Sequence, residues 1–229
     1  MLVLFDIDAT LIRTEGAGIK AMVDAGGELF GPGFTADGVL FAGRLDPLIL
    51  VDLLFVNGQS PTPANMQAMR EGYRKHLQTR LRSGVGRALP GVAPLLDRIE
   101  SAHEATLGLL TGNFAETGSL KLAACGIDAS RFVVKVWGDD SPHTPPAREH
   151  LPAIGMERYR QSRGRDIRPQ RVLIIGDTPH DISCARAHGC RSLGVGTGQF
   201  RAEQLLAAGA DHAVADLSNT DSIAGWILG

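Results

Sequence analysis

The sequence predicts an α/β protein, a parallel sheet with helices on both faces, carrying an inserted helical unit. Three observations predict it. Short apolar runs ending on a charged or small polar residue recur along the chain, and helical-period segments separate them. One stretch, residues 14–86, holds helical patterns and no convincing strand. Strands that alternate with helices at this spacing form βαβ units, and the sheet they build is buried on both sides.

The first run, LVLF at 2–5, reads as a buried strand because it is continuously apolar and stops at Asp6. Within 14–86 the helical patterns are 16–30, 46–57 and 65–81, and the Pro- and Ser-containing GQSPTP at 58–63 links the last two. SGVGRALPGV at 83–92 returns the chain to alternation. Strands are then expected at 106–110, 132–136 and 171–175, with weaker ones at 192–195 and 212–214. Helices are expected at 92–102, 117–124, 151–162, 182–187 and 202–208. No internal repeat or low-complexity tract interrupts the pattern.

Composition narrows the classes. With 229 residues, 44% of them hydrophobic, and a formal net charge of −2, the chain can bury a core and lacks the basic footprint of a general nucleic-acid binder. Its three cysteines are too few and too scattered for a disulfide framework or a zinc site. MLVLFDIDAT has no basic segment before its apolar run, so it does not read as a signal peptide, and no apolar run is long enough for a membrane span. A cytoplasmic protein is expected. Only four of the 23 basic residues are lysines, so arginine is placed to carry roles that lysine often fills.

Chemistry concentrates where the apolar runs end. Asp6 and Asp8 follow the first run two residues apart, and in a continued strand both would point one way, to the carboxyl end of the sheet. GDTPHDI at 176–182 places Asp177 at another strand tip and Asp181 at the start of the next helix. LLTGN at 109–113 ends a third run, where Thr111 offers a hydroxyl and Gly112 and Asn113 offer backbone N–H groups to an anion. Singly, each is also what an ordinary turn or helix start carries. Together, four carboxylates at one sheet edge repel one another unless a cation joins them, and oxygen ligands of this kind suit Mg²⁺.

In this order, and with this insert, the motifs resemble those of the haloacid dehalogenase (HAD) superfamily of aspartate-nucleophile phosphatases, along the whole chain. DIDATL at 6–11 is similar to the first motif of that family, LLTGN carries the Thr of the second, and GDTPHDI is similar to the acidic fourth. LPGV at 89–92 resembles the re-entry helix of the phosphoglycolate-phosphatase-like branch. The resemblance implies a Rossmann-like core of residues 1–13 and 87–229, with residues 14–86 as a helical C1 cap. It implies a Mg²⁺-dependent phosphatase, monomeric or homodimeric, acting on a small phosphorylated metabolite such as a phosphoglycolate- or sugar-phosphate-like monoester.

Roles follow by the same resemblance. Asp6 would attack phosphorus to give an aspartyl-phosphate, and Asp8 would protonate the leaving oxygen and then activate water. Asp6, Asp8 (through its backbone carbonyl), Asp177 and Asp181 would surround the metal, and Thr111, Gly112 and Asn113 would bind phosphoryl oxygens. The family usually has Gly where Ala9 stands; a positive φ there would cost Ala about 1 kcal/mol, and an ordinary φ is expected. For the third-motif cation, Lys121 sits on the preceding helix and Lys135 in mid-strand, so the role is carried to Arg148, which can clamp charge but not act as a base. Arg44, in FAGRLD at 41–46, is the cap's candidate for the substrate, with Lys20 behind it. His143, His180 and His188 are not expected to bind metal.

Three neighbouring activities stay open. A β-phosphoglucomutase-like phosphomutase keeps all four motifs. A phosphonate hydrolase would need a Schiff-base lysine in the cap, for which Lys20 is the candidate. A non-catalytic phosphate-binding relative is supported by Ala9 and the absent lysine. Dehalogenation of a haloacid has no use for Asp8 or the acidic fourth motif.

Overall fold

The structure is a computed structural model and describes residues 1–229. The first strand, β1 (Leu2–Phe5), leads through a short strand β2 (Ile12–Arg13) into three helices, α1 (Ala17–Phe30), α2 (Asp46–Val56) and α3 (Pro63–Leu81). Thr62 caps α3 by accepting the Asn65 N–H at 3.2 Å, with Pro63 in the first turn where no amide donor is needed. The chain returns through β3 (Arg87–Ala88), which pairs antiparallel with β2, so the two passages between the helical unit and the sheet are laced to each other.

Alternation then resumes: α4 (Val92–Glu100), β4 (Thr106–Leu110), α5 (Ala115–Ala124), β5 (Val134–Val136), α6 (Leu151–Arg163), β6 (Val172–Gly176), α7 (Pro179–Ala187), β7 (Arg191–Val195), α8 (Ala202–Ala207), β8 (His212–Val214) and α9 (Thr220–Leu228). The six-stranded sheet is parallel throughout, in the order β5-β4-β1-β6-β7-β8. The strands expected from sequence are all present. The final helix α9 was not anticipated, although Ile223, Ala224 and Ile227 bury one face at helical spacing.

Both sheet faces are covered, as continuous apolar strands require. Val3 and Phe5 of β1 join Leu107, Leu109, Leu173 and Ile175 in a core of 24 residues closed by α4, α5 and α9. Leu2 and Leu4 point the other way, with Val134, Val136, Val172 and Ile174, into a second core closed by α6 and α7. That alternation is the period-two geometry of a strand with helices above and below. A third cluster, of 14 residues, belongs to α1, α2 and α3 and is joined from the sheet side by Phe114. No helix is long and apolar enough to cross a membrane.

Candidate active site

Register brings the tips of β1, β4 and β6 side by side. Phe5 is opposite Ile175 on one side and Leu109 on the other, and the Asp6 N–H donates to the Ile175 carbonyl at 2.9 Å. The residues following these strands, Asp6, Thr111 and Asp177, therefore emerge together, all buried. Gly176 makes room for the arrangement: a Cβ there would collide with the Asp181 carboxyl group. One oxygen from each of Asp6, Asp177 and Asp181 lies within 4.8 Å of the others.

Three buried carboxylates this close need compensation. Burial pushes Asp6 up to about 6, with Asp181 adding to the effect and Arg148 opposing it. Burial pushes Asp177 up to about 8, reinforced by Asp181 and Asp6. Arg148 supplies part of the counter-charge: it opens a short 3₁₀ turn before α6, and its Nη2 is 2.5 Å from Asp181 Oδ1 and 3.3 Å from Asp6 Oδ1. Asp181 spends its other oxygen, Oδ2, on the Thr178 N–H at 3.1 Å and the Thr178 hydroxyl at 2.8 Å, so it caps α7 as well. The donor set, all hard carboxylate oxygens with one guanidinium among three carboxylates and no ion pair to Asp177, fits a hard divalent cation such as Mg²⁺.

Asp8 behaves differently from its sequence neighbour. The chain turns sharply after β1, and the Asp8 carboxylate is not among the converging three. It accepts from Lys121 Nζ at 2.6 Å and from Asn113 Nδ2 at 2.9 Å. The continued strand that would have pointed Asp6 and Asp8 alike does not form: β1 stops at Phe5, and the turn residue Ala9 takes φ 57°. That φ also corrects the expectation of ordinary backbone at Ala9: the left-handed conformation is required, and the Thr197 hydroxyl donates to the Ala9 carbonyl within this turn.

Lys121 is the residue sequence reasoning set aside. It is 5% exposed, and its Nζ also donates to Asn113 Oδ1 at 2.6 Å. Burial opposes its charge, but Asp8, Tyr73 and Asp46 outweigh burial and hold it protonated, its pKa well above the lysine range. Its place two turns into α5 hid it, since the rise separates it from the strand tip by about 9 Å. Helical side chains lean toward the N-terminus, so the Lys121 stem runs back along α5 to meet Asn113 and Asp8. A readable signal existed: Thr117, Gly118, Lys121 and Leu122 form the buried face of α5.

Thr111 Oγ1 accepts from Asn113 Nδ2 at 2.8 Å and from the Asn113 N–H at 3.4 Å, and the Thr111 hydroxyl proton favours the charged form of Asp6. The Gly112 N–H has no acceptor in the chain, while the Gly112 carbonyl takes the Asp46 N–H at 2.7 Å. Arg44 lines the same cavity as Asp6 and is paired with Asp52 of α2. His180 is exposed, and neither it nor His143 or His188 joins the carboxylate group. The cavity above the strand tips measures about 430 Å³ and is roofed by α1, α3 and the loop before α2.

Comparison with known proteins finds relatives in sequence and in fold. The HAD-hydrolase-like family model matches residues 144–220, the stretch containing Arg148, Asp177 and Asp181. The chain is 26% identical over 209 residues to a phosphoglycolate phosphatase of Pectobacterium atrosepticum, covering 88% of this chain and 82% of that one. In fold it is similar to a hydrolase from Pseudomonas syringae, with a TM-score of 0.73 at 20% identity over 99% of this chain and 98% of that one. It is similar also to CbbY from Rhodobacter sphaeroides in complex with phosphate, with a TM-score of 0.71 at 21% identity over 95% and 94% of the two chains.

Proposed function

We propose that the chain is a haloacid dehalogenase-like hydrolase, a Mg²⁺-dependent phosphatase that hydrolyses a small phosphomonoester through an aspartyl-phosphate at Asp6. The observation that carries this reading is the meeting of Asp6, Asp177 and Asp181 within 4.8 Å beneath a cavity, with Arg148 against Asp6. The 26% identical phosphoglycolate phosphatase supports a small phosphorylated metabolite as substrate.

Each residue then has work that follows from its placement. Mg²⁺, held by Asp6 and Asp177 with Asp181 alongside, would supply positive charge that offsets repulsion between carboxylate and phosphate. Asp6 forms the new bond to phosphorus, splitting a very slow hydrolysis into two easier displacements. Arg148 lies against Asp6 and clamps charge, fulfilling the third-motif role without any capacity to take a proton. Thr111, Gly112 and Asn113 orient the phosphoryl oxygens through the Thr111 hydroxyl and the backbone N–H groups, of which that of Gly112 has no acceptor in the chain and that of Asn113 lies 3.4 Å from Thr111 Oγ1. Asp8, half exposed and held by Lys121 and Asn113, gives a proton to the leaving oxygen and then takes one from the attacking water. A closed cap excludes the remaining water.

Hydrolysis of p-nitrophenyl phosphate tests the reading. Wild type is expected to turn over with Mg²⁺ and to stop with a chelator. Asp6→Asn is expected to lower kcat by at least about a thousandfold. Turnover that survives Asp6→Asn overturns the nucleophile assignment, and no turnover in any condition favours the phosphate-binding relative.

A further inference from the structure

The turn that carries Asp8 is held from outside by a residue the chemistry above does not use. Within the turn the Ala9 N–H donates to the Ile12 carbonyl at 2.8 Å, which fixes the peptide before Ala9. The peptide after it is fixed less well. The Thr10 N–H reaches the Ile7 carbonyl only at 3.3 Å, and the buried Thr10 hydroxyl has no partner. The Ala9 carbonyl is taken by the hydroxyl of Thr197, 188 residues further along the chain. A hydrogen bond and the penalty for a Cβ at positive φ are of one order, so this bond is large enough to offset the strain at Ala9.

Thr197 is itself fixed. It follows β7, where the Gly196 N–H donates to the Val214 carbonyl of β8 at 2.8 Å, and its own carbonyl accepts from the Arg13 guanidinium of β2. The next residue, Gly198, lines the cavity, and a Cβ there would lie 1.7 Å from Asp177 Oδ2. One short loop thus bears on both the Asp8–Ala9 turn and the Asp177 carboxylate. Were Ala9 to relax to an ordinary negative φ, its peptide to Asp8 would rotate by roughly 120°. The Asp8 carboxylate would then lose its aim at Lys121 and Asn113, which lie 2.6 and 2.9 Å from it.

We propose that Thr197 is a positioning residue for the phosphatase reaction: its hydroxyl, donated to the Ala9 carbonyl, keeps Ala9 left-handed and so keeps Asp8 where it can pass a proton to the leaving oxygen. The proposal rests on the phosphatase reading and adds to it a residue that does not line the cavity. The need is peculiar to alanine. A glycine at position 9 adopts this φ without strain, so Thr197 matters less beside it. That dependence of one residue on the other separates the role from ordinary loop packing.

A double-mutant cycle over Ala9→Gly and Thr197→Val tests this. It is read in kcat/KM with Mg²⁺ on p-nitrophenyl phosphate and on phenyl phosphate, whose more basic leaving oxygen depends more on a proton. Beside Ala9, Thr197→Val is expected to lower kcat/KM about tenfold on phenyl phosphate and about threefold or less on p-nitrophenyl phosphate. Thr197→Ser, which keeps the donor, is expected to stay within about twofold of wild type. In the Ala9→Gly background the tenfold loss is expected to shrink to about threefold or less. Thermal unfolding of the same variants reads the cycle without turnover: the midpoint drop caused by Thr197→Val is expected to be smaller in the Ala9→Gly background. Equal losses in the two backgrounds, equal losses on the two esters, or a Thr197→Val enzyme indistinguishable from wild type overturns the proposal and leaves the phosphatase reading standing. A wild type that hydrolyses neither ester removes both.

Discussion

Ala9 shows how a single residue departs from what its environment asks. The turn after β1 needs φ 57° at this position, and Ala9 meets the need at a steric cost of about 1 kcal/mol that glycine would not incur. Ala9→Gly is therefore expected to stabilise the protein by about 1 kcal/mol, raising the melting temperature by about 2–4 °C. Thermal unfolding checks this, and an unchanged or lower midpoint would show that the conformation carries no strain. The identity of residue 9 was legible in sequence, but its φ was not, because left-handed backbone follows from where the chain must go next. Lys121 illustrates the same limit: its residue type was visible, while its contact with Asp8 depends on how α5 leans on the sheet.

At the scale of elements, the loop between α1 and α2 decides how the helical unit meets the strand tips. Gly43 gives its carbonyl to Arg148 Nη1 at 3.3 Å, and Asp46 gives its N–H to Gly112 at 2.7 Å. The same loop therefore touches both the cation beside Asp6 and the turn carrying Thr111. Gly43 has φ 71°, and a Cβ there would lie 2.6 Å from Thr178 Oγ1 and 2.7 Å from His180. Gly43→Ala is expected to push the loop off the sheet edge, raising KM for p-nitrophenyl phosphate and lowering kcat/KM about tenfold, since small displacements of a closing element are costly. Kinetics indistinguishable from wild type would mean that this loop does not seat the substrate. A Gly-Arg turn could be read at 43–44 from sequence, and Arg44 as a charge near the cavity; that Arg44 pairs with Asp52 needed the fold.

Across the whole molecule, Asp6, Asp46 and Asp177 are each pushed up, to about 6, 7 and 8, chiefly by burial. A carboxyl group whose folded value lies above its unfolded value binds its proton more tightly when folded. Its stabilising contribution is present below the unfolded value of 3.8 and is lost as pH rises through the folded one. In chelator, the melting temperature is accordingly expected to fall between about pH 5 and about pH 8. Mg²⁺ binds the deprotonated carboxylates, so it is expected to raise the midpoint more near pH 8 than near pH 5. Thermal scans with chelator and with Mg²⁺ at both pH values check this. A Mg²⁺ effect that is larger in acid would contradict a metal site built on Asp6 and Asp177.

The sequence by itself determined the layered α/β plan, since strands buried on both faces must be continuously apolar and their helices must carry a 3.6-residue period. It also placed Asp6, Thr111 and Asp177 at strand ends, because each apolar run stops where the sheet does. Tertiary structure alone decided which side chains meet. Asp8 turned from Asp6 to Lys121, Asp181 divided its oxygens between Arg148 and Thr178, and Tyr73 came from a distant helix to the first turn of α1. The physical reason is range: periodicity and turn chemistry act over a few residues, whereas these contacts join positions brought together only by the packing of whole elements.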